Sequence, residues 1–115
     1  MPITPAVSRK DLLTAMIASG KMTSKVEIKE VTMGPNQRAP LHLHPCPVVG
    51  IITQGTISFQ IEGETLQYLN VGDAFYEPAD VRVAHFDNDG NTPAKFIAFY
   101  LLDKDDNELI RMIPE

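Results

Sequence analysis

The sequence predicts an all-β domain of short strands, and three observations lead to this fold class. From residue 25 onward, stretches such as 25–31 alternate polar and apolar residues, which is typical of half-buried strands. The segment 48–53 is an apolar run and 96–102 is an unbroken apolar run, and both predict buried strands. Turn signals, including those at 34–36 and 88–91, separate the stretches. Seven or more short strands at this spacing indicate a sandwich or barrel, and periodicity alone leaves a jelly roll, an immunoglobulin-like sandwich and another barrel open.

The N-terminal region predicts the one helix of the chain, over about residues 9 to 18. Ser8 is a suitable N-cap, Gly20 is a suitable stop, and four apolar residues between them lie on one helical face: Leu12, Leu13, Met16 and Ile17. This face needs a partner, either the barrel or a second subunit. We therefore expect a tail and short helix over residues 1–24 and a β-barrel domain over residues 25–115.

Composition excludes several classes of function. The net charge is −5 and the ten basic residues are scattered, so no cluster predicts nucleic-acid binding. No segment approaches the roughly 18 apolar residues that span a bilayer, so we expect no membrane partner. The start of the chain, residues 1–5, lacks the basic and apolar pattern of a secretory signal. With the single cysteine, Cys46, this favours a cytoplasmic location.

Two of the three histidines, His42 and His44, are separated by one residue in a predicted strand. Side chains at this spacing point to the same face of a strand, so both imidazoles could reach one metal ion. The alternative is a pair of unrelated polar residues on a solvated strand face. The surrounding sequence decides between these interpretations.

The order of glycines, histidines and a proline resembles the two sequence motifs of the cupin superfamily. Gly34, the pair His42 and His44, and Gly55 resemble the first motif, and residues 69–78, which contain Gly-Asp and then Pro78, resemble the start of the second. The similarity covers roughly residues 26 to 102. It implies a cupin-type jelly roll (a double-stranded β-helix) of the small, single-domain, RmlC-like kind. It further implies a homodimer that binds a small-molecule ligand or substrate.

Two positions depart from the motifs. The glutamate of the first motif falls at Val48, which cannot bind a metal. The histidine of the second motif falls at Val83, whereas this chain has His85. Either a longer loop after Pro78 carries His85 into the ligand position, or Val83 holds that position and His85 faces the interior one rung further along. A core histidine with a hydrogen bond in the barrel is the remaining alternative.

We expect a metal site formed by His42, His44 and His85. Three imidazoles without a carboxylate suit a divalent transition metal, zinc, iron, nickel or copper, better than magnesium or calcium. An open coordination position could polarise a carbonyl or acidify bound water, which favours a metal-dependent enzyme acting on a small organic molecule. The loss of the glutamate at Val48 favours the alternative, a non-catalytic binding or sensing protein with a degenerate site.

Other residues are candidates for the wall of the pocket. Cys46 could lie at its mouth or pack as a small buried residue, and Arg82 could meet an anionic ligand at the rim. Glu77 could act as a base, although an exposed carboxylate at a strand end is the simpler interpretation. The predicted pocket-lining set is Val48, Gln60, Val83, Arg82 and Cys46.

Overall fold

The computed structural model describes residues 7–18, 20 and 22–114, and the strands predicted from the sequence are present in it. There are nine: β1 (Lys25–Met33), β2 (His42–Leu43), β3 (Val48–Gln54), β4 (Ile57–Ile61), β5 (Gln67–Leu69), β6 (Ala74–Glu77), β7 (Val83–Asp87), β8 (Ala94–Leu102) and β9 (Arg111–Met112). They form a four-stranded sheet in the order β1-β8-β3-β6 and a five-stranded sheet in the order β5-β4-β7-β2-β9. Every strand pair is antiparallel. The all-β jelly roll is confirmed.

The two sheets pack face to face through alternate residues of each strand. In β8 the exposure alternates strictly, with Phe96, Ala98 and Tyr100 buried and their neighbours half-buried. Aromatic rings join the sheets, because Phe86 of the five-stranded sheet lies 5.2 Å from Phe75 and 4.9 Å from Phe96 of the other sheet, measured between centroids. Both contacts are T-shaped, the arrangement that the aromatic quadrupole favours. The core is therefore closed at this end of the sandwich.

The predicted N-terminal helix is wrong. Residues 7–18 contain no helix, and the four apolar side chains that suggested one are 45% to 82% exposed. An isolated helix of this length is marginal in water unless its apolar face is packed, and these exposures show that the described part of the chain does not bury that face. No helix in the described part of the chain has the length and hydrophobicity needed to cross a membrane.

The prediction of a closed barrel is also wrong, because the two sheets remain separate. Among residues 7–18, 20 and 22–114, no strand pair joins the four-stranded sheet to the five-stranded one. Three prolines lie around β2: Pro40, Pro45 and Pro47. Proline lacks the N–H that a strand ladder requires, so β2 is limited to two residues and the chain passes between the sheets as loops.

Two buried residues, Gly50 within β3 and Asn88 just after β7, constrain the backbone around the core. A Cβ on Gly50 would lie 2.3 Å from Cζ of Phe75, so only glycine allows this ring to cover β3. Asn88 is 2% exposed, and its Nδ2 donates to the carbonyls of Met33, Gly34 and Thr92. Asn88 therefore ties the loop after β7 to the end of β1.

Candidate metal centre

Three buried side chains meet between the two sheets: His42, His44 and Glu77. Each offers one ligand atom, and these atoms all lie within 4.8 Å of one another. His42 begins β2 in the five-stranded sheet and His44 lies just beyond it, whereas Glu77 ends β6 in the four-stranded sheet. The side chains are in an interior position, with residue exposures of 3%, 6% and 3%. The fold thus brings two imidazoles from one sheet to a carboxylate from the other.

Hydrogen bonds to main-chain carbonyls orient both imidazoles. Nδ1 of His42 lies 2.7 Å from the carbonyl oxygen of Pro40, and Nδ1 of His44 lies 2.7 Å from that of Leu109. A carbonyl oxygen can only accept, so Nδ1 carries the hydrogen in both rings. In a neutral ring the lone pair then lies on Nε2, which is the atom that a metal would take. Hydrogen bonds of this kind, from the ring nitrogen that does not bind the metal, commonly hold metal-binding histidines in one tautomer.

His44 and Glu77 are in direct contact, with 2.5 Å between Nε2 and Oε2. Burial lowers the pKa of His44. The hydrogen bond and negative charge of Glu77 and the hydrogen bond with the Leu109 carbonyl together outweigh this effect, so the pKa of His44 is raised above its usual value. The imidazole and carboxylate therefore share a proton on the line that joins them. A metal ion would displace this proton, since metal-binding imidazoles are neutral.

The family motif places a glutamate at the position of Val48, and the buried carboxylate beside that position is Glu77. Val48 is paired with Glu77 across β3 and β6, and both side chains are buried. Glu77 therefore lies one strand away from Val48, on the same rung of the sheet. The expectation that Glu77 is exposed is wrong. Its spacing from Phe75 was a usable signal, because residues two apart in a strand share a face and Phe75 is a core aromatic.

The structure does not bring His85 to this cluster. Its side chain is 46% exposed, and its Nδ1 lies 2.9 Å from Oδ2 of Asp87. The register of β7 against β4 shifts here, because Gln60 pairs with His85 while Ile61 pairs with Val83. This irregularity inserts a residue on β7, which turns His85 outward and Phe86 inward. The prediction that His85 faces the interior is wrong, and Val83 occupies the buried position paired with His42.

The five residues predicted to line the pocket lie elsewhere. Three are packed in the hydrophobic core at 1% or 2% exposure: Cys46, Val48 and Val83. Gln60 follows the buried Phe59 in β4, so it points to the opposite face of the strand, and its Nε2 donates to the carbonyl of Glu64. The side chain of Arg82 is 51% exposed and pairs with Glu62 at 3.9 Å.

The cluster opens into a cavity of about 260 Å³ between the sheets. Most of its wall is apolar and includes Met33, Phe86, Phe96, Ile110 and Met112, with Gln37 and Arg38 adding polar groups. Tyr100 lies beside the cluster, 6.0 Å from His44 between ring centroids. Burial, and then the nearby Glu77 and Cys46, raise the pKa of Tyr100, so its hydroxyl remains protonated.

Comparisons with known proteins agree with this architecture. Residues 29–100 match the family described as cupin domain. The fold is similar to oxalate oxidase in complex with the substrate analogue glycolate (21% identity, TM-score 0.66, covering 76% of this chain and 46% of that one). It is also similar to the DMSP lyase DddQ from Ruegeria pomeroyi (21% identity, TM-score 0.65, covering 76% of this chain and 42% of that one). A third similar structure is a cupin-like protein from Thermotoga maritima (20% identity, TM-score 0.64, covering 76% of this chain and 64% of that one). This chain therefore spans less than half the length of the two enzymes. No curated protein sequence matches it.

Proposed function

This chain belongs to the cupin domain family, and on that basis we propose that it binds one divalent transition metal ion through His42, His44 and Glu77 and uses it to act on a small organic molecule. One observation carries the proposal. Two imidazole nitrogens and a carboxylate oxygen converge within 4.8 Å in a buried position that opens into a cavity. Buried carboxylates are normally paired or coordinate a metal, and Glu77, which pairs with His44 here, could exchange that partner for an ion.

The donor set narrows the choice of metal. Two histidines and one carboxylate are the ligands of non-haem iron(II) sites and of several catalytic zinc sites. Nickel and copper also accept imidazole, whereas magnesium and calcium prefer sites made of oxygen alone. The set therefore fits zinc, iron, nickel or copper. Glu77 would neutralise part of the charge of the ion, which three neutral imidazoles would not do.

A bound ion would polarise a ligand oxygen or acidify a bound water at a coordination position that the protein leaves open. The other contributions come from the chain itself. Pro40 and Leu109 fix the imidazole tautomers through their carbonyls, and the apolar wall of the cavity excludes bulk water. A dry site strengthens each electrostatic contact inside it.

A second candidate function is non-catalytic binding of a small molecule. It is favoured by the two valines, Val48 and Val83, that stand where the family motifs place a glutamate and a histidine. A site built from a substitute carboxylate could retain a metal and a ligand without turnover. Titration of the metal-loaded protein with a panel of small carboxylic acids, followed by NMR, separates the two functions. Turnover that is lost in Glu77→Gln supports the enzyme, and binding without turnover supports the alternative.

The metal claim is tested by measuring metal in protein purified without a histidine tag. We expect close to one ion per chain in the wild type and a loss of that ion in the His42→Ala, His44→Ala double variant. His85→Ala is the matched control, since it removes the third imidazole of the chain at a distance from the cluster. A folded wild type that takes up no added zinc, iron, nickel or copper would refute the claim.

We also propose a homodimer that pairs through the outer face of the four-stranded sheet. Val26 and Ile28 of β1 are 49% and 62% exposed, and Ile28 is paired with the half-buried Phe99. A shallow space of about 590 Å³ lies on the same face beside residues 9–13, and it holds no cluster of metal-binding side chains. Exposed apolar patches of this kind favour association. A second copy of the chain would cover both features.

Light scattering tests the dimer. We expect twice the monomer mass for the wild type and a monomer for Ile28→Lys. Val71→Lys is the control, because Val71 is equally exposed, at 62%, in a loop before β6. A monomeric wild type at micromolar concentration would refute the dimer. We further propose a cytoplasmic location, which is supported by the sequence having a single cysteine, the buried Cys46.

A further inference from the structure

Tyr100 lines the cavity beside the metal centre and belongs to β8, which lies on the other side of β3 from β6 in the same sheet. It pairs with Val48, which in turn pairs with Glu77, so the three residues form one rung across β8, β3 and β6. All three are buried, with exposures of 8%, 2% and 3%. Tyr100 and Glu77 both line the cavity, while Val48 packs between them in the core. The rung therefore places a phenol beside the cavity that the metal cluster opens into.

The hydroxyl of Tyr100 has no hydrogen-bond partner among residues 7–18, 20 and 22–114. In the same part of the chain, every fully enclosed side-chain polar atom does have a partner. The Tyr100 hydroxyl is therefore not enclosed by protein and must reach the cavity. A buried tyrosine usually finds a partner for its O–H, so an unused donor in this position indicates a ligand.

We propose that the Tyr100 hydroxyl donates a hydrogen bond to an oxygen atom of a ligand bound at the metal, and that this ligand is a small carboxylate. The inference rests on the proposed metal function. A divalent ion with the Glu77 carboxylate and two neutral imidazoles leaves one net positive charge, which favours an anion. One carboxylate oxygen takes the open coordination position, and the other accepts the hydrogen bond from Tyr100.

The size and polarity of the cavity agree with this class of ligand. A volume of about 260 Å³ is the share of roughly nine water molecules in the liquid, which admits only a small molecule. The apolar side chains around the remainder of the wall suit a short hydrocarbon portion. Arg38, near the rim, adds a second positive charge to the cavity.

The test compares Tyr100→Phe with wild type in the cobalt(II)-loaded state. Two probes, acetate and imidazole, are titrated while the visible spectrum of cobalt is recorded. Acetate can coordinate and accept a hydrogen bond, whereas imidazole coordinates through nitrogen and then has no acceptor left. We expect the variant to bind acetate about tenfold more weakly, because hydrogen bonds to charged acceptors are the strong ones, and to bind imidazole within twofold of wild type. Tyr68→Phe, which removes a hydroxyl from an exposed tyrosine, should change neither affinity.

The cobalt stoichiometry is measured first and separates this inference from the proposed function. Wild-type protein that binds no cobalt would refute the metal function and this inference with it. If wild type and variant both bind one cobalt, equal affinities for acetate would refute the role of Tyr100 and leave the metal function standing. An equal loss for acetate and imidazole would show that Tyr100 acts by supporting the fold, which also refutes the role proposed for it.

Discussion

Relocating the carboxylate from β6 to β3 should restore a metal site that its removal destroys. Glu77→Val removes the third ligand, and adding Val48→Glu places a carboxylate on the adjacent strand of the same rung. Side chains directly opposite in a sheet have Cβ atoms about 4.5–5.5 Å apart, so the new carboxylate starts one strand spacing from the old one. Both positions are buried and face the interior, and the exchange leaves the composition of the core unchanged.

The magnitude follows from linkage between binding and folding. Loss of a group that only hydrogen-bonds to a ligand costs metal affinity about 10–100-fold, so loss of a ligand itself should cost at least about a hundredfold. Metal at 100 times the wild-type Kd stabilises the fold by about 2.7 kcal/mol, whereas a hundredfold weaker site gains only about 0.4 kcal/mol. A chain of 115 residues has an unfolding entropy of about 0.24 kcal/mol/K. The metal-induced rise in Tm is therefore about 11 °C for wild type and about 2 °C for Glu77→Val.

The assay is thermal unfolding followed by circular dichroism, with zinc added or chelated. We expect the double variant to recover at least half of the wild-type shift in Tm. Glu77→Gln keeps the shape of the side chain and should behave like Glu77→Val, which covers the case in which the valine variant folds poorly. A full shift in Tm for Glu77→Val would show that Glu77 is not a ligand, and a folded double variant without a shift would show that position 48 cannot replace it.

Three further variants test the surroundings of the site. His85→Ala should leave the metal stoichiometry unchanged and lower the free energy of unfolding by less than about 1 kcal/mol, because the imidazole in its pair with Asp87 is 46% exposed. A loss of metal, measured by elemental analysis, would contradict the outward orientation of the ring. Gly50→Ala should lower the free energy of unfolding in urea by at least about 2 kcal/mol, because the new Cβ would overlap the ring of Phe75. A change below about 0.5 kcal/mol would show that the ring does not approach Gly50 this closely. Asn88→Ala should cost about 3 kcal/mol in the same assay, because the carbonyls it joins would lose their donor, and wild-type stability would refute this anchoring role.

The strands were predictable from the sequence because their signal is local. Alternation over residues 25–31 and the apolar run over residues 96–102 each lie within a single strand, and each became one. The His42 and His44 pair was predictable for the same reason, since two residues at this spacing share a face whatever the rest of the chain does. The shared metal site of the two histidines was expected from the resemblance, whereas their contact with Glu77 depends on the other sheet and was not predicted.

The errors arose where long-range packing decides the outcome. His85 was expected to face inward by strict alternation from Val83, but a shift of one residue against β4 reverses every side chain beyond it. No residue type in 83–87 marks that shift. The helix over residues 9–18 failed because helical spacing describes a face and not the partner that must cover it. Glu77 was misjudged since Pro78 suggested an exposed strand end.

Anomalous X-ray diffraction from crystals grown with zinc, recorded on both sides of its absorption edge, tests the central claim most directly. We predict one strong peak about 2.0–2.2 Å from Nε2 of His42, Nε2 of His44 and a carboxylate oxygen of Glu77. A strong peak beside His85 and Asp87 with none between the sheets would contradict it. So would an intact His44–Glu77 contact in crystals of a chain saturated with zinc.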